Sequence, residues 1–203
     1  MKSIVMSESV TSNRYQQNNV KADFLNKVPH WLYTVFIIGI FFYLSISPIK
    51  TTLASLSYYG VESRLEQWKM DPSTISKQDY VNAKQDIEEA MYFHSTFAFY
   101  YEVYSEVLQW GRYNGFEDDL VATNEQIEAL YSKSLQLRPT WPATWANVAQ
   151  QSFFVKGVGD EVNLKEIVRY LNIAHQLGAN TPEVHIIWAD IGLQLIDLNF
   201  NSF

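Results

Sequence analysis

The chain has 203 residues, of which 47% are hydrophobic and 18% charged, with no cysteine and a formal net charge of −7. This length suits one anchor and one modest domain, and the lack of cysteine excludes disulfides, thiolate catalysis, cysteine zinc sites and iron–sulfur clusters. The acidic balance argues against nucleic acid as a partner, because surfaces that follow a phosphate backbone need clustered Lys and Arg.

One segment, residues 28–49, has no formal charge, and its centre, residues 31–47, is almost wholly apolar or aromatic. About 20 apolar residues span a hydrocarbon core of about 30 Å, with a lower limit of about 17. We therefore expect residues 28–49 to be a transmembrane anchor in the lipid bilayer. Two alternatives are a buried core helix and a cleaved signal peptide that ends near Ser45 and Ser47.

The charges around this segment predict its orientation. Residues 1–27 hold four cations against two acids, whereas the residues after Pro48 hold eleven cations against twenty acids. By the positive-inside rule, the amino end lies in the cytoplasm and the domain of residues 50–203 is exported. Residues 1–27 are polar and lack apolar periodicity, so we expect a disordered cytoplasmic tail.

Residues 50–203 carry helical periodicity and hardly any strand signals. Proline, glycine and capping residues divide them into successive helices. In chain order, the pattern predicts helices over 53–69, after Ser76, over 97–110, from Thr123, over 143–156, from Asn163 and from Pro182. The predicted fold class is therefore all-α, with one transmembrane helix followed by about six to seven helices.

Three helix ends align with one another: residues 90–95, 134–139 and 174–179, with offsets of 44 and 40 residues. Helix–turn–helix units that recur in this way bury their faces by stacking into an α-solenoid. Residues 135–149 (LQLRPTWPATWANVA) are similar to the junction of tetratricopeptide (TPR) repeats. The expected packing residues are Leu135, Leu137, Pro139, Trp141, Pro142 and Trp145, with both tryptophans against the preceding helix and Arg138 stacked on a ring.

The order of these parts resembles the VpsP-like exopolysaccharide-biosynthesis proteins over about residues 30–198. The resemblance rests on the tail, the anchor, helix ends at Trp68 and at Trp110-Gly111, and most specifically on LRPTWP at 137–142 with Trp145. It implies a bacterial inner-membrane protein with a periplasmic TPR-like domain. The implied partners are membrane proteins that make or export capsule or biofilm polysaccharide. It implies no reaction.

Sequence motifs for catalysis are missing. No P-loop, G-x-S-x-G or G-x-G-x-x-G motif occurs, and none of the four histidines has a paired metal-ligand spacing. Glu102 and Glu106 lie four apart, with His94 near them, as a candidate acid–base or metal site. Because such a pair is more often a solvated helix surface, we expect no catalytic, metal-binding or cofactor-binding residues, and no enzyme.

Two groups of residues are candidates for recognition. Aromatics crowd residues 92–110; helical spacing places Phe97, Tyr100, Tyr101, Tyr104 and Leu108 inside, which leaves Phe99 and Tyr113 as candidates for glycan binding. The last helix has a second apolar side, and its candidates for protein binding are Ile186, Leu193, Ile196 and Phe200. That side either folds into its own domain or docks a second copy or another protein.

The sequence favours a non-enzymatic, membrane-anchored adaptor of exopolysaccharide biosynthesis that acts through protein–protein contacts. The alternatives are a glycan-binding module of the same pathway, a TPR assembly factor of another envelope machine and, last, an enzyme centred on Glu102, Glu106 and His94.

Overall fold

The computed structural model describes residues 29–157 and 160–200, with side chains up to Ile196. In this part of the chain there are seven α-helices and no strands. They are α1 (His30–Met70), α2 (Lys77–Phe93), α3 (Ala98–Tyr113), α4 (Leu120–Leu137), α5 (Pro142–Lys156), α6 (Glu161–Leu177) and α7 (Pro182–Phe200). The all-α prediction is confirmed, whereas the predicted tail and the side chain of Phe200 lie outside the description.

Helix α1 contains the one stretch of the described residues that is apolar and long enough to cross a membrane. The mean hydropathy of this apolar stretch is 2.0, and none of the stretch is buried within the chain. The alternative of a buried core helix is therefore wrong. The expected anchor, 28–49, and the helix expected over 53–69 form one continuous helix with Pro48 inside it, because proline removes only one amide donor and a long helix continues around it. The helix ends at Met70, next to Asp71-Pro72, as predicted.

The described residues divide into two units, one before residue 50 and one from residue 50 onward. In the second unit, two apolar clusters form the core. One joins residues 54–68 to α2, α3 and α4, and the other joins α5, α6 and α7. Each cluster is built from residues that recur at three- and four-residue steps, which is the helical stripe visible in the sequence.

In chain order, six of the helices make three consecutive helix–turn–helix units, which we call pairs: α2–α3, α4–α5 and α6–α7. The residue that follows the first helix of each pair has nearly the same backbone angles, with φ and ψ of −144° and 70° at His94, −144° and 67° at Arg138, and −156° and 70° at Gly178. Each donates its amide to the carbonyl four residues earlier, at 2.8–3.0 Å. The turns recur at the offsets of the three helix ends aligned in the sequence.

The first helix of each pair is also buried at equivalent positions. The pattern is an apolar residue, a second large residue four positions later and a small residue three positions after that. The members are Ala83, Ile87 and Ala90 in α2; Ile127, Tyr131 and Ser134 in α4; and Ile167, Leu171 and Ala174 in α6. The small residue lies four positions before the turn residue and accepts the hydrogen bond from its amide.

Two of the predicted helix starts are wrong by about one turn. Ser76 caps α2 as expected, but α4 is capped by Asp119 and α6 by Asp160, upstream of Thr123 and Asn163. The Asp119 carboxylate accepts hydrogen bonds from the amides of Val121 and Ala122, both at 3.0 Å. A carboxylate satisfies the free amides and also complements the positive end of the helix dipole.

Candidate functional site

Glu102 is 7% exposed, so its predicted place on a solvated surface is wrong. Its Oε1 accepts hydrogen bonds from Ser134 Oγ at 2.6 Å, Thr144 Oγ1 at 2.6 Å and Arg138 Nη2 at 2.7 Å. These donors lie on α4, on α5 and in the turn between them. One carboxylate on α3 therefore holds the first pair of helices against the second, and its position is that of a structural ion pair.

The other two members of the candidate acid–base site have different partners. Glu106 pairs with Lys69 at 2.8 Å, and His94 stacks on Phe97 with ring centroids 5.9 Å apart. Phe97 itself is 44% exposed, contrary to its expected core position, because it precedes the first turn of α3. In the part of the chain that the structure describes, no group of three or more His, Asp or Glu side chains is placed to hold a metal ion.

A groove of about 700 Å³ lies between α3 and α5, with Lys69 and Pro72 at its edge. Both glycan candidates line it. Tyr113 is 78% exposed, as expected. Phe99 is half-buried, contrary to expectation, because its ring also meets Tyr58 with centroids 6.0 Å apart.

Three further aromatics line the same groove: Trp110, Tyr131 and Phe154. Burial raises the pKa of the Tyr131 phenol, which therefore stays neutral and accepts a hydrogen bond from Gln109 at 3.0 Å. Phe154 is not among the candidates expected from the sequence. The signal was the Phe153-Phe154 dipeptide, because two adjacent helical residues cannot both face one core, and Phe154 is 55% exposed.

The second apolar side of α7 is exposed, with Ile186 at 67%, Leu193 at 63% and Ile196 at 51%. The opposite side, with Val184, Ile187 and Ile191, is buried. Ala189 is exposed as well, so the four residues of this surface follow one another at steps of three, four and three. That is the a/d spacing of a coiled-coil seam. We call these four residues the α7 face.

The internal repeat relates the α7 face to the equivalent surfaces of α3 and α5. Ile186 occupies the position of Glu102 in α3 and of Ala146 in α5, and Leu193 that of Gln109 and Phe153. Glu102 and Gln109 are hydrogen-bonded to α4. Ala146 and Phe153 are buried in the cluster that includes α6. In both earlier pairs the next helix covers this surface, whereas no helix of the described residues covers the α7 face.

The six packing residues expected at the second turn are less buried than predicted. Leu137, Pro139 and Trp141 are exposed, and Leu135, Pro142 and Trp145 are half-buried. Arg138 does stack on Trp141, at 4.2 Å from the ring centroid. Trp145 packs on Tyr170 of the following pair, with centroids 6.0 Å apart. Small residues carry the tight contacts, namely Ser134, Thr144, Ala146 and Ala149.

Comparison with models of known protein families gives no match, and comparison with curated proteins gives none. Among residues 50–196, exposed apolar or aromatic side chains cluster at the α7 face and at the groove between α3 and α5, which we call the aromatic groove.

Proposed function

We propose that this protein is a membrane-anchored, non-enzymatic adaptor with TPR-like repeats, of the VpsP-like exopolysaccharide-biosynthesis type. Its α7 face binds membrane proteins that make or export the polysaccharide. The observation that carries this proposal is the exposure of Ile186 and Leu193 at positions that a following helix covers in both earlier pairs. A helix of a partner, or of a second copy, completes the surface.

Several features support the proposed setting. Three helix pairs with the same turn suit a TPR-like solenoid. The apolar stretch of α1 suits a single-pass anchor in the bacterial inner membrane. The cations before it and the excess of acids after it suit a cytoplasmic amino end and a periplasmic helical domain.

Burial of the α7 face would contribute several kcal/mol to binding. Full burial of one Leu or Ile side chain contributes about 1.5–3 kcal/mol. Three such residues lie along about three turns of one helix, so a partner helix that packs along α7 buries all of them together. Such a surface would bind weakly if only one residue were covered, which makes the central residue, Leu193, the best site for a test.

We expect Leu193→Glu to lower recovery of the partner by at least about tenfold, because a carboxylate at the centre of the contact would be buried without a counter-charge. The full-length chain is crosslinked in native membranes, and the crosslinked partner is measured by quantitative mass spectrometry. The matched control is Val121→Glu, at a residue 70% exposed on α4. Equal recovery with both variants, each with native circular dichroism, would contradict the proposal.

The second candidate function is glycan binding, and the aromatic groove is the observation that favours it. Tyr113 and Trp110 lie at one end of the groove with ring centroids 6.1 Å apart, and Phe99 lies toward the other. Such rings offer rigid area for stacking on sugars. A TPR assembly factor of another envelope machine would use the α7 face in the same way, so the identity of the crosslinked partner separates it from the first proposal.

If the groove binds glycan, Tyr113→Ala will weaken the binding of cellotetraose about fivefold, since one aromatic stacking contact contributes about 1 kcal/mol. The measurement is calorimetric titration of the full chain in phosphatidylcholine nanodiscs. Tyr92→Ala is the control, because Tyr92 is 84% exposed and does not line the groove. Absence of saturable binding by the unchanged protein would remove this candidate.

A further inference from the structure

Position 151 differs from its equivalents in the other two pairs. Val107 in α3 and Ile191 in α7 are core residues, 0% and 2% exposed, whereas α5 has Gln151, which is also 2% exposed. Neither its amide nitrogen nor its amide oxygen has a hydrogen-bond partner among the described residues. Burying an amide without partners is unfavourable, and packing alone favours the apolar residue found in the other pairs.

Gln151 lines a cleft of about 480 Å³ between α4, α5 and α6. That volume is in the range of small-molecule sites, which is about 300–1,000 Å³. One wall of the cleft is aromatic, formed by Trp145 and Tyr170 with their rings inclined at 31°. The remaining wall includes polar side chains, among them Glu128, Ser132 and Arg169.

The chemistry of Gln151 defines the ligand. A carboxamide presents a donor and an acceptor side by side, and a second amide, with its N–H beside its C=O, satisfies both together. The rings of Trp145 and Tyr170 present apolar faces, which suit the C–H face of a pyranose, and the polar wall suits its hydroxyls. Pockets of this kind combine apolar contact with a few placed polar groups.

We propose that the cleft between α4, α5 and α6 binds an acetamido sugar, with the acetamido group on Gln151 and the sugar ring against Trp145 and Tyr170. This site is separate from the α7 face, and it shares only Tyr131 with the aromatic groove. The proposal therefore does not depend on either candidate function above.

The test compares two disaccharides that differ in their acetamido groups. The full chain in phosphatidylcholine nanodiscs is titrated calorimetrically with N,N′-diacetylchitobiose and with cellobiose. We expect saturable binding of the first, at least about tenfold tighter than the second, since one satisfied pair of hydrogen bonds corresponds to about that factor. Gln151→Ile, which restores the residue type of α7, will lower the affinity for diacetylchitobiose to that for cellobiose.

The melting temperature distinguishes a lost binding site from a damaged fold. We expect Gln151→Ile to leave the melting temperature unchanged or to raise it. Tyr92→Ala, at an exposed residue that lines neither the cleft nor the groove, will leave diacetylchitobiose binding unchanged. Equal affinity for the two disaccharides, or undiminished binding by folded Gln151→Ile, overturns the proposal. So does equally tight binding of the blocked amino acid N-acetylalanine methylamide, which would assign the cleft to a peptide.

Discussion

Replacing Glu102 by alanine will lower the free energy of unfolding by about 3–5 kcal/mol, the range found when one partner of a buried ion pair is removed. Three donors lose their acceptor at once. Ser134 and Thr144 are 0% exposed, so water cannot replace the carboxylate at their hydroxyls. The side chain of Arg138 is 29% exposed and can turn toward solvent, which keeps the loss nearer the lower end of the range.

Thermal unfolding of the full chain in detergent, followed by circular dichroism, measures this loss. Glu106→Ala is the matched control, since its pair with Lys69 is at the surface and contributes about 0–1 kcal/mol. Glu102→Gln will fall between the two, because its carbonyl still accepts hydrogen bonds. If both alanine variants melted alike, Glu102 would have no role in joining the helix pairs.

Glu102 also shows where a single sequence stops being informative. Its spacing from Glu106 places both on one helix face, and that much is correct. Whether that face meets water depends on a helix that begins 18 residues later, α4 at Leu120. The donors Ser134 and Thr144 are small polar residues that resemble ordinary helix fillers in the sequence. No local pattern marks them as partners of a distant carboxylate.

The elements that were predicted well are those whose signals are local. Pro72, Pro139, Pro142 and Pro182 mark the helix boundaries near them, since proline cannot donate a backbone hydrogen bond. The three turns were visible as an alignment of helix ends. The starts of α4 and α6 were misplaced because Thr123 and Asn163 also fit a capping pattern, and only the backbone shows that Asp119 and Asp160 accept the free amides.

The α7 face and the cleft differ in how far the sequence reveals them. The second apolar side of α7 follows from helical spacing, so Ile186, Leu193 and Ile196 were found. Gln151 was not, because a glutamine in a helix is usually a surface residue. It becomes notable only when the repeat aligns it with Val107 and Ile191, both buried. Comparing the three pairs within one chain therefore supplies information that single residues lack.

Gly111→Ala will destabilise the fold by a net of about 1 kcal/mol, although alanine favours a helix over glycine by about the same amount. Gly111 was expected to end α3, but the helix continues to Tyr113 and the glycine faces Tyr80. A Cβ atom there would lie 2.6 Å from the Tyr80 hydroxyl oxygen. Tyr80 is 3% exposed and cannot move aside without disturbing the core, and overpacking of this kind costs about 1–3 kcal/mol.

A shift of the Tyr80 side chain would also disturb its hydrogen bond to Glu117. Its carboxylate accepts hydrogen bonds from Tyr80 and, at 2.8 Å, from Lys84. Although burial favours its neutral form, these bonds lower the pKa of Glu117, so they contribute stability at neutral pH that is lost as the pH falls through that lowered pKa. Gly111→Ala will therefore cost less at acidic pH than at neutral pH.

As a control, the same glycine-to-alanine change at Gly192 should change the free energy of unfolding in the opposite direction. Gly192 lies inside α7, and a Cβ atom there would have no neighbour within 4 Å. Gly192→Ala will therefore raise the free energy of unfolding by about 0.5–1 kcal/mol through helix propensity alone. In a Tyr80→Leu background the clash is gone, so Gly111→Ala should lose its cost and approach the gain expected for Gly192→Ala. A loss that persisted there would show that contact with Tyr80 is not the reason for glycine at position 111.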